Sequence, residues 1–324
     1  MRNYVSDLVS VIIPCFNCEK TIEATIESVL NQSYPKIEII LIDDGSNDNT
    51  LTTLQEIEAK DKRIKVLHQE NKGVSMTRNN GIENSTGEYV VFIDSDDLIH
   101  KDYIKYLFDV INKKKCDTAF CYYKRDNTKN ELELDVKKIK EIQHNPESLT
   151  HKLIDEKYHI GFTTFIYKNE LIEKYKIRFP NGLKTGEDLE FLWNYLIHCS
   201  SAMEITASLY LYFNNPNSAV HKVEWSRTES FDSLKRIRHN MKKHNFEYVD
   251  VFYDYFSARY IWSYAKTFSV AKRKDLFTKL STEFDTKSAM KYLIRHCPDF
   301  RVKITSLLYS INSSMFYHCI SMVG

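Results

Sequence analysis

Three acidic groups in this chain could do chemistry: Asp43-Asp44, Asp94-Ser95-Asp96-Asp97 and Glu187-Asp188. Carboxylates one residue apart at a strand end offer hard oxygen ligands, which suit Mg2+ or Mn2+ better than a soft metal. A cation held there would in turn hold a diphosphate, whose oxygens fill the rest of its shell. Each group also has a plainer reading. Asp44-Gly45-Ser46 is ordinary turn chemistry, and Asp96-Asp97 would cap a helix after Leu98. Glu187-Asp188 opens a helical pattern, where two acids complement the helix dipole. A carboxylate in that place can equally take a proton from an attacking hydroxyl. Cys15-Phe16-Asn17-Cys18 has C-x-x-C spacing, but zinc needs two more ligands and Cys116 with Cys121 is not a second such pair.

The elements that must position these groups are legible from apolar periodicity. Val9–Ile13 reads as a buried strand, followed by a helix over Thr21–Leu30 with Ile22, Ile26, Val29 and Leu30 on one face. Ile37–Ile42 and Ile64–Leu67 read as strands, with a helix marked by Leu51, Leu54 and Ile57 between them. A helix over Ser75–Glu83, a strand over Tyr89–Ile93, a helix through Ile104, Leu107, Phe108 and Ile111, and a strand over Thr118–Tyr122 follow. Strand–helix alternation predicts a largely parallel α/β sheet, in which ligands bind at the carboxyl ends of the strands. All three polar strand ends (Pro14 to Asn17, Asp43-Asp44 and Asp94 to Asp97) then fall on one edge. Further on, Lys124–Lys140 reads as a surface excursion, Gly161–Tyr167 as a strand and Glu187–Cys199 as a helix. Beyond Trp225 the pattern is helical, and Asn214–Trp225 is the best candidate boundary.

Bulk composition narrows the class. The chain has 324 residues, 43% of them hydrophobic, enough for a sizeable core. Lys plus Arg total 45 against 44 for Asp plus Glu, so charge gives no argument for nucleic-acid binding. Seven cysteines, an odd number, do not read as a disulfide framework, and no run of about eighteen apolar residues occurs. With no signal-peptide pattern at the N-terminus, the expectation is a cytoplasmic protein in a reducing compartment. No G-x-G-x-x-G follows a strand, which disfavours a dinucleotide-dependent enzyme.

Four ordered motifs resemble the inverting glycosyltransferase family 2, of the bacterial O-antigen, capsule and lipooligosaccharide type. They are Val9-Ser10-Val11-Ile12-Ile13-Pro14-Cys15-Phe16-Asn17, Ile42-Asp43-Asp44-Gly45-Ser46-Asn47-Asp48-Asn49-Thr50, Asn71-Lys72-Gly73 with Arg78-Asn79-Asn80-Gly81, and Gly87 to Asp97. The resemblance is close over 8–125 and looser to about 220. It implies the GT-A fold, an α/β, Rossmann-like nucleotide-sugar-binding sandwich with a mostly parallel sheet, here with a helical C-terminal extension. Residues 1–220 would form the catalytic domain, with a nucleotide-sugar half over 8–125 and an acceptor half over 126–220, and 221–324 the helical region.

By the same resemblance, Pro14 and Phe16 would line a uracil pocket, with Glu19 supporting it and Asp44 accepting a hydrogen bond from the ring. Arg78 would reach the uracil or diphosphate. Asp94, with Ser95 beside it, would bind the ribose side of the donor, and Asp96 the Mn2+ or Mg2+ ion. Asp188, in Thr185-Gly186-Glu187-Asp188-Leu189, would be the base. His221 stands where some family members place a further metal ligand. The implied partners are a UDP-sugar and a saccharide acceptor, linked to undecaprenyl diphosphate or lipid A-core, at the inner face of the membrane. A catalytically inactive glycan-binding scaffold on the same fold is the rival reading. A processive synthase is disfavoured, since neither spanning helices nor a Gln-X-X-Arg-Trp motif appears. Finally, residues 265–303 hold ten basic side chains against four acidic ones. With Phe277, Leu280, Phe284, Tyr292 and Leu293 interspersed, this span reads either as a basic amphipathic surface for an anionic membrane or as a solvated helical face packed on the catalytic domain.

Overall fold

A computed structural model of the chain describes residues 2–126, 138–154, 159–213 and 223–323. It divides into two compact units. The first comprises 1–149, 159–182 and 191–216, and the second 150–158, 183–190 and 217–324.

The first unit is built on one nine-stranded sheet. The strands are β1 (Val5–Cys15), β2 (Ile37–Asp44), β3 (Ile64–Gln69), β4 (Gly87–Phe92), β5 (Leu98–Ile99), β6 (Thr118–Asp126), β7 (Glu141–His144), β8 (Phe165–Lys168) and β9 (Ala202–Phe213). Their order is β3-β2-β1-β4-β8-β6-β9-β5, with β7 paired to β9. β3, β2, β1 and β4 run parallel, whereas β8 is antiparallel to both β4 and β6. β6 is thereby restored to the direction of β4, and β9 runs parallel to β6. The carboxyl ends of β1, β2, β4, β6 and β9 therefore share one edge.

The parallel strands form where the sequence is apolar without alternation. Val9, Val11, Ile12 and Ile13 are fully buried, as are Ile39 to Ile42, because a parallel strand is covered on both faces. The covering helices are α1 (Ile22–Leu30), α2 (Thr50–Glu58), α3 (Val74–Asn84) and α4 (Tyr103–Lys114). Helix α1 buries Ile22, Thr25, Ile26 and Val29, one face at helical spacing. At Gly81 in α3, a Cβ would come within 2.3 Å of an Ile12 methyl, so the helix can lie this close to β1 only with glycine there. α5 (Pro146–Ile154) and α6 (Asn169–Lys174) follow, and α7 (Glu187–Leu196) gives its first turn to the second unit and Phe191–Leu196 to the first.

Several boundaries differ from the sequence reading. The span read as one strand over Gly161–Tyr167 begins with a single 3-10 turn, Phe162–Thr164, where Thr164 Oγ1 bonds back to the Gly161 carbonyl at 2.7 Å; the strand is Phe165–Lys168. β5 has two residues and β7 four, too short to show periodicity. The excursion over Lys124–Lys140 falls mostly outside the described residues, as does most of Asn214–Trp225.

The second unit is helical: α8 (Ser230–Lys243), α9 (Val249–Val270), α10 (Lys274–Glu283), α11 (Thr286–His296), α12 (Phe300–Ile311) and α13 (Ser313–Val323). α11 and α12 start where Asp285 and Asp299 accept backbone N–H groups of Ser288 and Arg301, ordinary N-caps. Here the structure corrects one expectation. Phe277, Leu280 and Leu293, read as part of a membrane-facing surface, are buried in this unit's core. Among the described residues no helix is long and apolar enough to cross a membrane.

Candidate active site

The loops after β1 and β2 are stitched to each other. Asn17, at φ +50°, accepts the Asn47 N–H through its side chain at 2.8 Å and donates its own N–H to Ser46 Oγ at 3.0 Å. Glu19 accepts the Asn49 N–H at 3.0 Å. Between them Phe16 projects into solvent while Pro14 is buried. Gly45 allows this path: its φ is +69°, and a Cβ there would press on the Asn71 backbone nitrogen at 2.8 Å.

Asp44 ends β2 under three donors. Its Oδ1 accepts from Gln69 Nε2 and from the Lys72 N–H, both at 2.8 Å, and its Oδ2 from the Gly73 N–H at 2.9 Å. Its neighbour Asp43 points the other way along the pleat and meets His68 Nδ1 at 2.8 Å.

Arg78 on α3 donates from Nη2 to Asp94 Oδ1 at 2.8 Å. Its guanidinium lies 4.5 Å from the centroid of Phe162 and 5.2 Å from that of Phe179. Phe179 is itself fixed by Asn79, whose side chain donates to the Phe179 carbonyl at 2.8 Å and accepts its N–H at 2.9 Å. The cation is thus pinned in direction as well as in charge.

The Asp94–Asp97 turn hangs on β9. Tyr210 accepts the Asp94 N–H at 3.2 Å and donates its phenol to Asp97 Oδ2 at 2.7 Å, and the Phe213 N–H reaches Asp97 Oδ1 at 2.8 Å. Burial, and after it the charge of Asp94, pushes the Asp97 carboxyl up to about 8. Asp97 is therefore a structural anchor, and Asp94, Ser95 and Asp96 remain half-buried on the carboxyl edge. Thr25 donates to the Ser95 carbonyl at 3.1 Å. The side chains of Asp94, Ser95 and Asp96 offer oxygen donors alone, which fits a hard divalent cation and not a soft one. No cluster of three or more His, Cys, Asp or Glu side chains suited to a metal occurs among the described residues.

In the second unit, Asp188 is exposed in the first turn of α7, with Oδ1 accepting the Leu189 N–H at 2.7 Å. The turn before it is tied to the start of α8. Thr185 Oγ1 donates to the Arg227 carbonyl at 3.0 Å, the Lys184 N–H reaches Glu229 at 3.1 Å, and Gly186 has φ +90° with Ser233 Oγ 2.9 Å from where a Cβ would stand. Glu190 is clasped by Arg236, with Nε at 2.9 Å from Oε1 and Nη2 at 2.8 Å from Oε2.

The structure thus brings Pro14, Phe16, Glu19, Asp44, Arg78, Asp94, Ser95 and Asp96 to the carboxyl edge of one sheet. His221 lies outside the described residues. Cys15 and Cys18 are buried and no disulfide forms; burial pushes the Cys15 thiol well up. Sequence reasoning missed Tyr210, Phe162 and Phe179, which reach this edge from distant segments with no motif of their own.

The profile described as "Glycosyl transferase family 2" matches residues 10–176. The chain belongs to glycosyltransferase family 2. Among its relatives is the uncharacterized glycosyltransferase EpsJ of Bacillus subtilis, 31% identical over 216 residues, 65% of this chain and 62% of that one. This chain therefore spans less than two thirds of the length of EpsJ. The putative teichuronic acid biosynthesis glycosyltransferase TuaG of the same organism is 36% identical over 183 residues, 56% of this chain and 69% of that one. Among solved structures, S. aureus TarS 1–349 in complex with UDP-GlcNAc superposes with a TM-score of 0.70 at 23% identity, covering 97% of this chain and 90% of that one. The fold of this chain is accordingly GT-A, with a helical C-terminal region.

Proposed function

We propose that this chain is an inverting, metal-dependent glycosyltransferase. It moves one hexose or N-acetylhexosamine from a UDP-sugar to a saccharide acceptor during bacterial surface polysaccharide synthesis and forms a β-glycosidic bond. The observation that carries this reading is the immobilised Asp44 carboxylate on the same sheet edge as the Arg78–Asp94 pair. A carboxylate has about four acceptor directions. Three are taken by Gln69, Lys72 and Gly73, leaving one for the ring N–H of uracil. Exposed Phe16 supplies a face on which a base can stack, beside Pro14 and the Glu19-bound loop. The TarS structure holds UDP-GlcNAc, and TuaG is named for teichuronic acid biosynthesis; these favour a UDP-sugar donor and a surface glycan product.

Arg78 stands on the donor's diphosphate side and Asp94 with Ser95 on its ribose side. Asp96 would hold Mn2+ or Mg2+, with His221 as a further ligand. That cation, when bound, would neutralise charge on the departing diphosphate. Asp188 takes the proton from the acceptor hydroxyl as this oxygen attacks the anomeric carbon from the face opposite the diphosphate. One displacement inverts the centre, so an α-linked donor gives a β-glycoside. The acceptor is a sugar on undecaprenyl diphosphate or lipid A-core, met at the inner face of the cytoplasmic membrane.

A panel of nucleotide sugars, scored by mass spectrometry for hydrolysis and transfer with Mn2+ or Mg2+, tests the reading. Turnover of one UDP-sugar is expected. Folded protein that turns over GDP-sugars alone would overturn the donor assignment, and folded protein with no turnover of any donor would favour the inactive scaffold.

A further inference from the structure

Helix α12 is apolar on two opposite faces. Val302, Ser306 and Tyr309 are buried within the second unit. On the other side Phe300, Ile304, Leu307 and Ile311 are 71%, 51%, 50% and 73% exposed. Their spacing of four, three and four residues places all four in one narrow stripe along the helix. A helix of this length carries that stripe for about 16 Å. On α13, Met315 and Met322 are also exposed, at 51% and 82%. Scattered exposed apolar residues need no explanation, but a contiguous stripe does.

Charge identifies the occupant. Arg301 and Lys303 flank the stripe on α12, one on each side by helical spacing. On α11, which packs against α12, Lys287, Lys291 and Arg295 are all exposed at spacings of four, opposite that helix's buried Ala289, Met290 and Leu293. An apolar ridge flanked by two cations on its own helix, with a further basic face on the helix packed against it, matches the two layers of an anionic bilayer surface, acyl chains below and phosphates above. A second protein copy would have to bring acidic groups to the same place, and α12 and α13 carry no Asp or Glu between Phe300 and Val323; Asp299, just before the stripe, accepts the Arg301 N–H as the helix cap.

We infer that the α12 stripe, Phe300, Ile304, Leu307 and Ile311, is a docking surface for an anionic lipid bilayer, with Lys287, Lys291 and Arg295 of α11 supplying the electrostatic share. Docking here would keep the catalyst beside a lipid-linked acceptor. The inference rests on exposure and charge and not on the catalytic reading, so either can fail alone.

The test is flotation of the full chain with vesicles of phosphatidylglycerol and phosphatidylcholine in equal amounts, and with phosphatidylcholine alone. Recovery with the anionic vesicles and little with the neutral ones is expected. Ile304→Asp with Leu307→Asp should abolish recovery while leaving circular dichroism and UDP-sugar hydrolysis unchanged, since both side chains face solvent. Lys287→Ala, Lys291→Ala and Arg295→Ala together should weaken partitioning about a hundredfold, at roughly fivefold per charge. Recovery of the Ile304/Leu307 variant equal to that of the unmodified chain would overturn the inference. So would a concentration-dependent dimer that this variant dissolves in a chain that floats with neither vesicle, which would make a second copy the occupant.

Discussion

Asp44 and Asp188 are both carboxylates at element ends, and they are held in opposite ways. Asp44 is buried in the first unit beneath side-chain and backbone donors from Gln69, Lys72 and Gly73, with its geometry fixed before any ligand arrives. Asp188 stands exposed at the opening of a helix in the second unit, with the Leu189 N–H on one oxygen. A group that recognises a ring gains from rigidity, because ordering has been completed in folding. A group that must take up and release a proton needs access to acceptor and solvent. On the proposed reading, the sheet edge would serve recognition and the helix opening proton transfer.

The largest expected effect breaks that contrast on its exposed side. Asp188→Asn preserves shape and removes proton affinity, so turnover should fall about 10²–10⁴-fold with donor affinity unchanged. Single-turnover transfer beside UDP-sugar titration measures both. Wild-type transfer by Asp188→Asn, with loss in Glu187→Gln, would move the base by one residue. Next, Asp96→Ala or excess chelator should cost several kcal/mol of transition-state stabilisation, about a thousandfold in rate, in folded protein. Full activity in chelator would remove the metal from the mechanism. On the rigid side, Asp44→Ala leaves the Lys72 and Gly73 N–H groups without their carboxylate acceptor and should weaken donor binding about tenfold, with a smaller change in turnover. A loss confined to turnover would contradict a recognition role. Gly186→Ala forces a side chain to φ +90° against Ser233 and should lower stability by about 1–3 kcal/mol, read as a fall in Tm. The smallest effect is at His221, where replacement by Ala should raise the metal concentration for half activity; an unchanged titration would exclude it as a ligand.

Legibility followed the same divide. The parallel strands could be read because burial on both faces leaves apolar runs, as in Ile39–Ile42, and their polar ends carry residues of the candidate site. Tyr210 could not be read. It lies in an alternating strand 113 residues beyond Asp97, and nothing in its neighbourhood marks its phenol as the bridge to that carboxylate. Phe162 and Phe179 are likewise indistinguishable, in sequence, from ordinary core aromatics. In the helical unit, periodicity shows that a helix has an apolar stripe but not whether the stripe meets a core or solvent. Phe277 and Leu280 therefore read as surface, and the stripe on α12 does not stand out.

The clamp on Arg78 has a consequence for engineering. Every motif of the sheet edge falls within the first hundred residues, which invites exchange of that stretch between relatives as a cassette. Yet the guanidinium packs against the paired rings of Phe162 and Phe179, and Asn79 makes two hydrogen bonds to the Phe179 backbone. A graft that stops at residue 100 would place a foreign arginine against unmatched rings. A chimera intended to change the donor should carry 159–182 along with the N-terminal segment.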